Sequence, residues 1–347
     1  MDKNQQPSVA IVLVCYNCLG DIKKCLDSLL AMDYPDFTIV AVDNASGDGT
    51  PDEIERSYPQ VVLLKNKNNI GCGPGNNQGM AYAREHGFDF IWLLNTDVVV
   101  ERETLSRLVR AFEEQPDLML GHPVLYYLNT PEKMQYCGSG IDWRRYLKYH
   151  LQSIEQAQSI DQKDFWLWGT ALLLRRQVIE TIGYYEDKYF LYCEDLELCM
   201  RAHAAVFRYA IIPEAKLYHR SHEIDTRGRG NLPLHWFFYV TRNEFWFWRD
   251  YTRGLKKISF FRVYLARILD QVGHWREEGQ DKIIDAHLDG LYCAWRGKTG
   301  KWDPSIKMPG WMRKIFVACP FVFSDLLNGK FGAVFNRLTH RTTHQRG

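Results

Sequence analysis

Four polar clusters interrupt the first 100 residues, and each directly follows an apolar run that predicts a buried strand. Their carboxylates, amides and phenol are groups that bind nucleotides and hard metal ions. The carboxyl ends of parallel strands lie at one edge of a sheet, where α/β proteins bind their ligands. The sequence therefore predicts a ligand site at this edge. The clusters are Tyr16-Asn17, Asp43-Asn44, Asn66–Asn69 and Asn95-Thr96-Asp97.

Two of the aspartates in these clusters have more than one interpretation. Asp97 ends the apolar stretch "FIWLLNTD" and precedes three valines. A carboxylate at a buried strand end needs a partner, because an unpaired buried charge is costly. Asp97 therefore either caps a turn or binds Mg²⁺ or Mn²⁺ that holds a diphosphate. Asp43 either forms a turn or accepts a hydrogen bond from a base or ribose.

Three further features could contribute chemistry. Glu194-Asp195 follows the apolar "YFLYC" and either caps a helix or supplies a general base whose pKa its surroundings tune. His219 is either structural or a metal ligand. The glycines of "NKNNIGCGPGNNQG" follow the third strand, not the first, which disfavours a dinucleotide fingerprint. Gly73 and Asn76 could instead let a ligand approach the backbone closely.

The elements that would position these residues alternate between strand and helix. The pattern predicts strands at residues 9–14, 37–42, 61–64 and 88–94. It predicts helices from Asp21, from Thr50 and over 80–86, with a loop before the last. Such alternation is typical of a parallel, doubly wound sheet. Farther on, "FWLWGTALLLRR" predicts one strand, Glu194 opens a helix, and the chain becomes helical and aromatic from about residue 232.

The composition narrows the class of protein. The length of 347 residues predicts about two structural units, and nine scattered cysteines are typical of a reduced, cytosolic protein. The first apolar stretch is too short for a signal peptide, and no run reaches the ~18 apolar residues of a spanning helix.

The charge is distributed unevenly along the chain. Residues 1–150 carry 14 Lys+Arg against 20 Asp+Glu, whereas residues 227–347 carry 21 Lys+Arg against 10 Asp+Glu. The basic C-terminal third predicts an anionic partner.

Taken together, the motifs resemble the family 2 glycosyltransferases, and within that family its rhamnosyltransferase branch. The resemblance covers roughly residues 8–243. It implies the GT-A fold: a Rossmann-like, mixed, mostly parallel sheet with helices on both faces, here followed by a helical extension. The implied domains are a catalytic domain over 1–230, with a nucleotide-binding half at 1–100 and an acceptor half at 101–230, and a basic, aromatic-rich helical region over 231–347. The motifs are "VCYN", "VAVDNASGDGT", "NKNNIGCGPGNNQG", "LLNTDV", "WGTALLLRR", "GYYEDKYFLYCEDLEL", "YHRSH" and "RN".

The resemblance also implies roles for individual residues. Asp195 would be the catalytic base, with Glu194 beside it, and Asp97 with His219 would bind Mg²⁺ or Mn²⁺. Asn95 stands where the family's metal motif has its first aspartate, so this site has one carboxylate fewer. The implied nucleotide and donor residues are Tyr16, Asn17, Asp43, Asn44, Gly73, Asn76, Asn95, Thr96, Trp168, Gly169 and Arg242.

The expected activity is an inverting transfer of a sugar from a nucleotide diphosphate to a hydroxyl group. The resemblance to the rhamnosyltransferase branch suggests that the sugar is L-rhamnose from dTDP-rhamnose, and the alternative donor is a UDP-sugar. The implied acceptor is a glycan or a polyprenyl-linked molecule in cell-envelope polysaccharide synthesis. The expected location is the cytoplasm, at the inner face of the membrane. A metal-dependent nucleotidyltransferase and a non-catalytic sugar-nucleotide-binding scaffold are the alternatives.

The C-terminal segment from Trp311 mixes apolar clusters with arginine and lysine. Such a pattern fits a helix lying on an anionic membrane surface. It fits equally a helical subdomain packed on the catalytic core or on another subunit, which would make the protein a homo-oligomer. Nucleic acid is disfavoured as a partner, because no recognition module accompanies the charge.

Overall fold

A computed structural model describes residues 6–220 and 232–330. It divides the chain into two compact units. Unit 1 comprises Met1–Asp142 and Lys148–Glu223, and unit 2 comprises Trp143–Leu147 and Ile224–Gly347. The domain boundary at 230/231, His222 of the "YHRSH" motif and the C-terminal segment beyond residue 330 lie outside the described residues.

Unit 1 is built on a nine-stranded mixed sheet in the order β3-β2-β1-β4-β11-β6-β12-β5, with β7 paired to β6. The first four of these strands are parallel, β11 is antiparallel to both its neighbours, and β12 is parallel to β6. A second sheet has the order β10-β8-β9. The expected α/β fold with a mostly parallel mixed sheet is confirmed. The strands are β1 Val9–Cys15, β2 Phe37–Asp43, β3 Val62–Lys65, β4 Phe90–Leu94, β5 Val98–Val100, β6 Leu118–Tyr127, β7 Thr130–Tyr136, β8 Ser139–Asp142, β9 Leu147–His150, β10 Phe165–Trp166, β11 Ala171–Arg175 and β12 Arg208–His219.

Seven helices belong to unit 1 and five to unit 2 among the described residues. The predicted helical C-terminal extension is therefore confirmed by five helices after residue 232. No helix of the described residues is both long and apolar enough to cross a membrane. The helices are α1 Leu19–Leu30, α2 Thr50–Ser57, α3 Cys72–Glu85, α4 Thr104–Glu114, α5 Ile154–Ser159, α6 Arg176–Ile182, α7 Glu194–Ala204, α8 Leu234–Tyr251, α9 Lys256–Glu277, α10 Asp281–Trp295, α11 Gly310–Ala318 and α12 Pro320–Leu327.

The register of the parallel strands brings the polar clusters to one edge. Cys15 at the end of β1 pairs with Asp43 at the end of β2, which in turn pairs with Lys65 at the end of β3. The residues from Val9 to Leu13 have no exposed surface, as expected for a strand covered on both faces. This burial fixes the register, because a slip by one residue would reverse every side chain.

Helix α3 begins at Cys72, so the predicted loop over residues 72–79 is wrong. The glycines permit close packing on β1: a Cβ on Gly79 would lie 2.2 Å from Cγ1 of Val12, and one on Gly75 would lie 2.9 Å from Cγ1 of Val14. The helical penalty of glycine is about 1 kcal/mol per residue. Tertiary packing against a buried strand outweighs it here.

The stretch "FWLWGTALLLRR" is also not the single strand that its apolar pattern predicts. It forms β10 and β11, separated by residues 167–170. Gly169 lies in this break, and a Cβ there would lie 3.3 Å from the Tyr185 hydroxyl and 3.4 Å from Cβ of Asp195. The break therefore brings the backbone of Gly169 against the segment that carries the acidic pair.

Candidate active site

The loop after β1 packs on the loop after β2 through backbone and amide contacts. The N–H of Asn17 donates to Oγ of Ser46 at 3.0 Å, and Oδ1 of Asn17 accepts from the N–H of Gly47 at 2.8 Å. Asn17 has a φ of 51°, which is uncommon outside glycine and turns the chain sharply. This turn leaves the neighbouring Tyr16 ring 47% exposed at the sheet edge, where it is free to stack on a planar ligand.

Asp43 is buried at the same edge. Its Oδ2 accepts from the N–H of Ser46 at 3.1 Å, while Oδ1 is buried without a hydrogen-bond partner among the described residues. A buried acceptor without a partner is costly. A donor N–H or O–H from a ligand would remove that cost, so Asp43 is suited to hold a base or ribose.

In Asn44, by contrast, both the nitrogen and the oxygen of the side-chain amide form hydrogen bonds inside the protein. Its Nδ2 donates to the carbonyl of Gly71 at 2.9 Å, and its Oδ1 accepts from Nδ2 of Asn66 at 2.9 Å. These bonds join the end of β2 to the segment before α3. Asn44 therefore shapes the edge by joining these two segments.

The first turns of α3 are tied to residues 185–190. The N–H of Cys72 donates to the carbonyl of Phe190 at 2.8 Å. The Asn77 side chain forms two hydrogen bonds with the backbone of Tyr185. It donates to the carbonyl at 2.9 Å and accepts from the N–H at 3.0 Å. A Cβ on Gly73 would lie 3.0 Å from the carbonyl of Tyr189. The glycine is thus explained by this close approach.

Asn76, the other residue of α3 expected to contact the donor, lies buried on the same helix. Its Nδ2 donates to the carbonyl of Cys72 at 3.0 Å, within the helix. This bond leaves the Oδ1 acceptor as the group through which Asn76 could contact a ribose or diphosphate.

Asp97 and His219 are brought together by the pairing of β5 with β12, in which His219 is opposite Val98. The Nε2 of His219 lies 3.3 Å from Oδ1 of Asp97, and its Nδ1 contacts Oε1 of Gln135 at 3.1 Å. The second contact orients the imidazole so that Nε2 faces the carboxylate. A ring fixed in this way is a common arrangement around bound metals.

The chemistry of this pair fits the expected metal. Mg²⁺ and Mn²⁺ are commonly held by one or two protein ligands together with substrate phosphates and water, and imidazole nitrogen is a suitable ligand for Mn²⁺. Asp97 and His219 would supply one oxygen and one nitrogen. No group of three or more His, Cys, Asp or Glu suited to a metal occurs within 6–220 and 232–330.

Asn95 and Thr96 lie between β4 and Asp97, and both are half-buried. The N–H of Asn95 donates to the carbonyl of Thr170 at 2.9 Å, which fixes the backbone of this turn. A hydrogen bond with Cys15 lowers the pKa of the Cys18 thiol against the effect of burial, and a weaker bond with Thr96 acts in the same direction. Thr96 is thus already engaged with the loop after β1.

Glu194 and Asp195 stand at the start of α7, after two residues in an uncommon backbone conformation. Tyr192 and Cys193 have φ values of 69° and 74°. Non-glycine residues in this region are strained and cluster at functional sites. Oδ2 of Asp195 accepts from the N–H of Gly169 at 2.9 Å, and Oδ1 accepts from the N–H of Leu196 at 2.7 Å. The carboxylate is therefore held in one orientation.

Burial shifts the acidity of both carboxyl groups. It raises the pKa of Glu194 to about 8, and the neighbouring Asp195 adds to this shift. Burial also raises the pKa of Asp195, against the opposing hydrogen bonds from Gly169 and Leu196. The charge of Lys148 lowers the pKa of both. A carboxylate with a raised pKa is a stronger base, as a general base for a hydroxyl group requires.

Trp168 lies beside this pair within an aromatic cluster. Its ring stacks on Tyr136 with centroids 4.1 Å apart and planes at 18°, and its backbone N–H donates to the Tyr136 hydroxyl at 2.8 Å. His150 packs edge-on against the same indole at 5.0 Å. Because the Trp168 ring is half-buried and next to Gly169, it offers a flat surface at the acidic pair.

Arg242 belongs to unit 2, where its guanidinium is enclosed. It is 1% exposed, lies over the rings of Phe238, Tyr239 and Trp246, and donates to the carbonyl of Gly300 at 2.7 Å. Burial lowers the pKa of Arg242 to about 10. These contacts give the side chain a packing role within unit 2, although its Nη2 is buried without a hydrogen-bond partner among the described residues.

Three residues of the site are absent from the sequence-based expectation: Lys148, Gln135 and Tyr185. Lys148 on β9 has Nζ 3.7 Å from Sγ of Cys193, and Gln135 on β7 orients His219. Neither stands in a motif, and both reach the site through long-range strand pairing. Tyr185 does stand within the quoted "GYYEDKYF", so the motif contained a signal for it.

Residues 10–183 match the sequence profile of the family described as Glycosyl transferase family 2. The chain is 26% identical over 265 residues to an N-acetylglucosaminyl-diphospho-decaprenol L-rhamnosyltransferase of Mycobacterium tuberculosis, covering 69% of this chain and 86% of the relative. It is 24% identical over 264 residues to rhamnosyltransferase WbbL of Escherichia coli, covering 71% and 97%.

Among solved structures, the fold is similar to that of mannosyltransferase PcManGT from Pyrobaculum calidifontis in complex with GDP-Man and Mn²⁺. The TM-score is 0.52 at 14% identity, and the match covers 94% of this chain and 88% of the other. At this identity the likeness extends to the fold. The GT-A expectation for the fold is confirmed by such matches.

Proposed function

Because the chain belongs to glycosyl transferase family 2, it is a glycosyltransferase, and we propose that it transfers L-rhamnose from dTDP-L-rhamnose to a hydroxyl group of a polyprenyl-linked glycan. The names of two relatives support this proposal. Both are rhamnosyltransferases, and the mycobacterial one is named for an acceptor on decaprenol. The proposed role is a step in cell-envelope polysaccharide synthesis.

The observation that carries the proposed mechanism is the orientation of Asp195. Its carboxylate is fixed by the N–H groups of Gly169 and Leu196, and burial raises its pKa. In the proposed step, the acceptor oxygen attacks the anomeric carbon, the bond from that carbon to the diphosphate breaks, and the hydroxyl proton passes to Asp195. Attack from the face opposite the leaving group inverts the anomeric centre. Glu194, with a pKa raised to about 8, would stay protonated near neutral pH and leave the negative charge on Asp195.

The donor would lie along the edge formed by the ends of β1, β2 and β4. Tyr16 would stack on the base, Asp43 would accept a hydrogen bond through its free Oδ1, and Asn76 and Asn95 would contact ribose or diphosphate. Trp168 and Gly169 would border the sugar. Asn17, Asn44, Gly73 and Thr96 would act by shaping the edge, since each already packs against neighbouring backbone or side chains.

Asp97 and His219 would hold the divalent cation, with Gln135 orienting the imidazole. A bound Mg²⁺ or Mn²⁺ supplies positive charge that neutralises the departing diphosphate. Asn95 adds an amide in place of a second carboxylate, so we expect weaker metal binding in the absence of nucleotide. The proposed location is the inner face of the cytoplasmic membrane, because a polyprenyl-linked acceptor is anchored in a bilayer.

A donor screen tests the proposal. Purified protein with Mn²⁺ is incubated with dTDP-L-rhamnose, dTDP-glucose, UDP-GlcNAc or GDP-mannose and a synthetic GlcNAc-diphosphate-lipid acceptor, and the release of nucleoside diphosphate is measured. We expect release with dTDP-L-rhamnose that depends on the acceptor. Release with another donor alone would reject rhamnose, and release with none would reject this acceptor class.

A further inference from the structure

The N-terminal end of α9 carries apolar side chains on its outer face. Leu255 is 85% exposed and Ile258 is 68% exposed, although isoleucine and leucine are usually buried. Phe261, one turn farther along, is 45% exposed. Burying these three in an apolar phase would gain free energy in proportion to their exposed area.

The opposite face of the same helix is already used in packing unit 2. Phe260, Tyr264 and Ile268 are at most 2% exposed. The Tyr146 hydroxyl donates to the carbonyl of Lys256 at 3.0 Å and fixes the first turn. Leu255 and Ile258 are therefore an addition to a helix that is already anchored, whereas Phe261 also packs on the Phe245 ring with centroids 5.7 Å apart.

Basic residues surround these apolar side chains. Residues 251–269 contain five Lys+Arg and no Asp or Glu. Two of the five have partners within unit 2: the exposed Arg262 donates to the carbonyl of Leu327 at 2.6 Å, and Arg267 forms an ion pair with Glu244 at 2.9 Å. The remaining three, Arg253, Lys256 and Lys257, are exposed and form no ion pair within the described part of the chain.

We propose that this basic apolar surface docks the protein on an anionic lipid bilayer. The basic apolar surface consists of Arg253, Leu255, Lys256, Lys257, Ile258 and Phe261. Its apolar members would enter the boundary between headgroups and acyl chains, and its cations would contact lipid phosphates, as in interfacial amphipathic helices. It is distinct from the segment after Trp311 that the sequence suggested. That segment packs on α9, since Arg276 contacts the carbonyl of Ala318 at 3.0 Å and a Cβ on Gly273 would lie 2.5 Å from the Phe321 ring, while Trp311 stays 67% exposed.

The charge pattern decides between a bilayer and the other occupants. A two-fold symmetric contact between two copies would bring together two basic apolar surfaces of the same charge, which is unfavourable. A nucleic acid would match the cations but would leave Leu255 and Ile258 without an apolar partner. An anionic bilayer satisfies both parts of the surface. The proposed polyprenyl-linked acceptor gives docking a purpose, and to that extent the inference rests on the proposed function.

Vesicle flotation of the full chain tests the inference without any sugar transfer. We expect the protein to float with vesicles of equimolar phosphatidylcholine and phosphatidylglycerol, and not with phosphatidylcholine alone. Ile258→Ser should weaken partitioning about tenfold through lost apolar burial. Lys256→Gln with Lys257→Gln should weaken it on the order of fivefold per lysine and reduce its salt dependence.

Matched controls remove similar exposed groups elsewhere. Val206, which is 91% exposed in unit 1, is changed to serine, and Lys24 with Lys282, both exposed, are changed to glutamine. Both controls should float like the unmodified protein. The inference would be overturned if the Ile258 and lysine variants floated as well as the unmodified protein. It would also be overturned by a dimer in solution that Ile258→Ser converts to monomer while the unmodified protein fails to float.

Activity separates this inference from the proposed function. Transfer to a short-chain, water-soluble acceptor should be unchanged in the variants of the basic apolar surface. If dTDP-L-rhamnose is not a donor but the vesicle results are as expected, the proposed function fails and the docking surface stands. If rhamnose is transferred but none of the variants changes flotation, the docking surface fails alone.

Discussion

The two acidic sites of unit 1 differ in how far they are removed from water. The Asp97 carboxylate is 31% exposed and faces the imidazole of His219 at 3.3 Å. Glu194 is 8% exposed, whereas Asp195 beside it is half-buried with both carboxylate oxygens bound by backbone N–H groups. The two share a helix start that follows two strained residues. One site is open with a neighbouring nitrogen donor, whereas the other is enclosed and has raised pKa values.

This difference separates two kinds of chemistry that a carboxylate can perform. A carboxylate that remains near water stays charged, so it can hold a cation. A carboxylate that burial desolvates has a higher pKa, so it can take a proton and return it. The comparison predicts that variants of the open site alter metal binding and that variants of the enclosed site alter proton transfer.

The largest expected effect tests the enclosed site. Asp195→Asn keeps the shape but removes the base, so kcat should fall about 10³-fold, within the range of general acid–base catalysis. Donor affinity, measured by calorimetry, should stay within about twofold if Asp195 acts only on the proton. The control is Glu186→Gln, an exposed residue of the adjoining segment. Near-normal turnover in Asp195→Asn would break the comparison.

The next effect tests the open site. Asp97→Asn should weaken Mn²⁺ binding in the presence of dTDP about 100-fold, because one of the two protein ligands loses its charge. Calorimetric titration of Mn²⁺ measures this directly, and Asp52→Asn, an exposed acid of α2, is the control. Unchanged Mn²⁺ affinity would remove Asp97 from the metal site, whatever happens to turnover.

The pH profile sharpens the comparison at the enclosed site. The charge of Lys148 lowers the pKa of Glu194 and Asp195, so Lys148→Met should move the acidic limb of kcat/KM to higher pH. Lys148→Arg should restore the original limb, since it keeps the charge. Lys133→Met, at an exposed position of β7, is the control. A purely structural role would lower kcat/KM at every pH without moving the limb.

The smallest effect concerns stability. The folded protein holds the Glu194 proton up to about pH 8, whereas unfolded glutamate releases it near ~4.3. Between these values the unfolded state binds fewer protons, so the stability contributed by protonated Glu194 is lost as the pH rises. The Tm of Glu194→Gln relative to the unmodified protein should therefore increase from about pH 5 to about pH 8 and then level off. A difference that is constant with pH would reject the raised pKa.

The sequence predicted the strands that carry the site but not the long-range contacts around it. The predicted strand ends at residues 14, 42 and 94 lie within one residue of the observed ends at Cys15, Asp43 and Leu94, because a strand covered on both faces is recorded in consecutive apolar residues. The helical start at Cys72 was missed because its glycines matter only through Val12 and Val14, which are about 60 residues away in the chain. Such contacts leave no local pattern.

The charged residues show the same limit. Asp97 and His219 were paired by the family resemblance, and the structure brings them within 3.3 Å. Arg242 was expected at the phosphates from the family resemblance alone, and in the structure three aromatic rings of its own unit lie against its guanidinium. Lys148 was missed because nothing around it in the sequence indicates that β9 lies near the start of α7.

The contact between α3 and residues 185–190 has a consequence for changing the donor. Asn77 and the N–H of Cys72 join this segment to the helix through backbone groups, and the glycine at position 73 allows the close approach. If the sheet edge binds the nucleotide and Asp195 takes the proton, as proposed, these hydrogen bonds to the backbone of residues 185–190 set the distance between the two. Altering side chains such as Tyr16 or Trp168 should then retune which donor is accepted without moving the reacting groups, which makes this scaffold a suitable starting point for engineering sugar specificity.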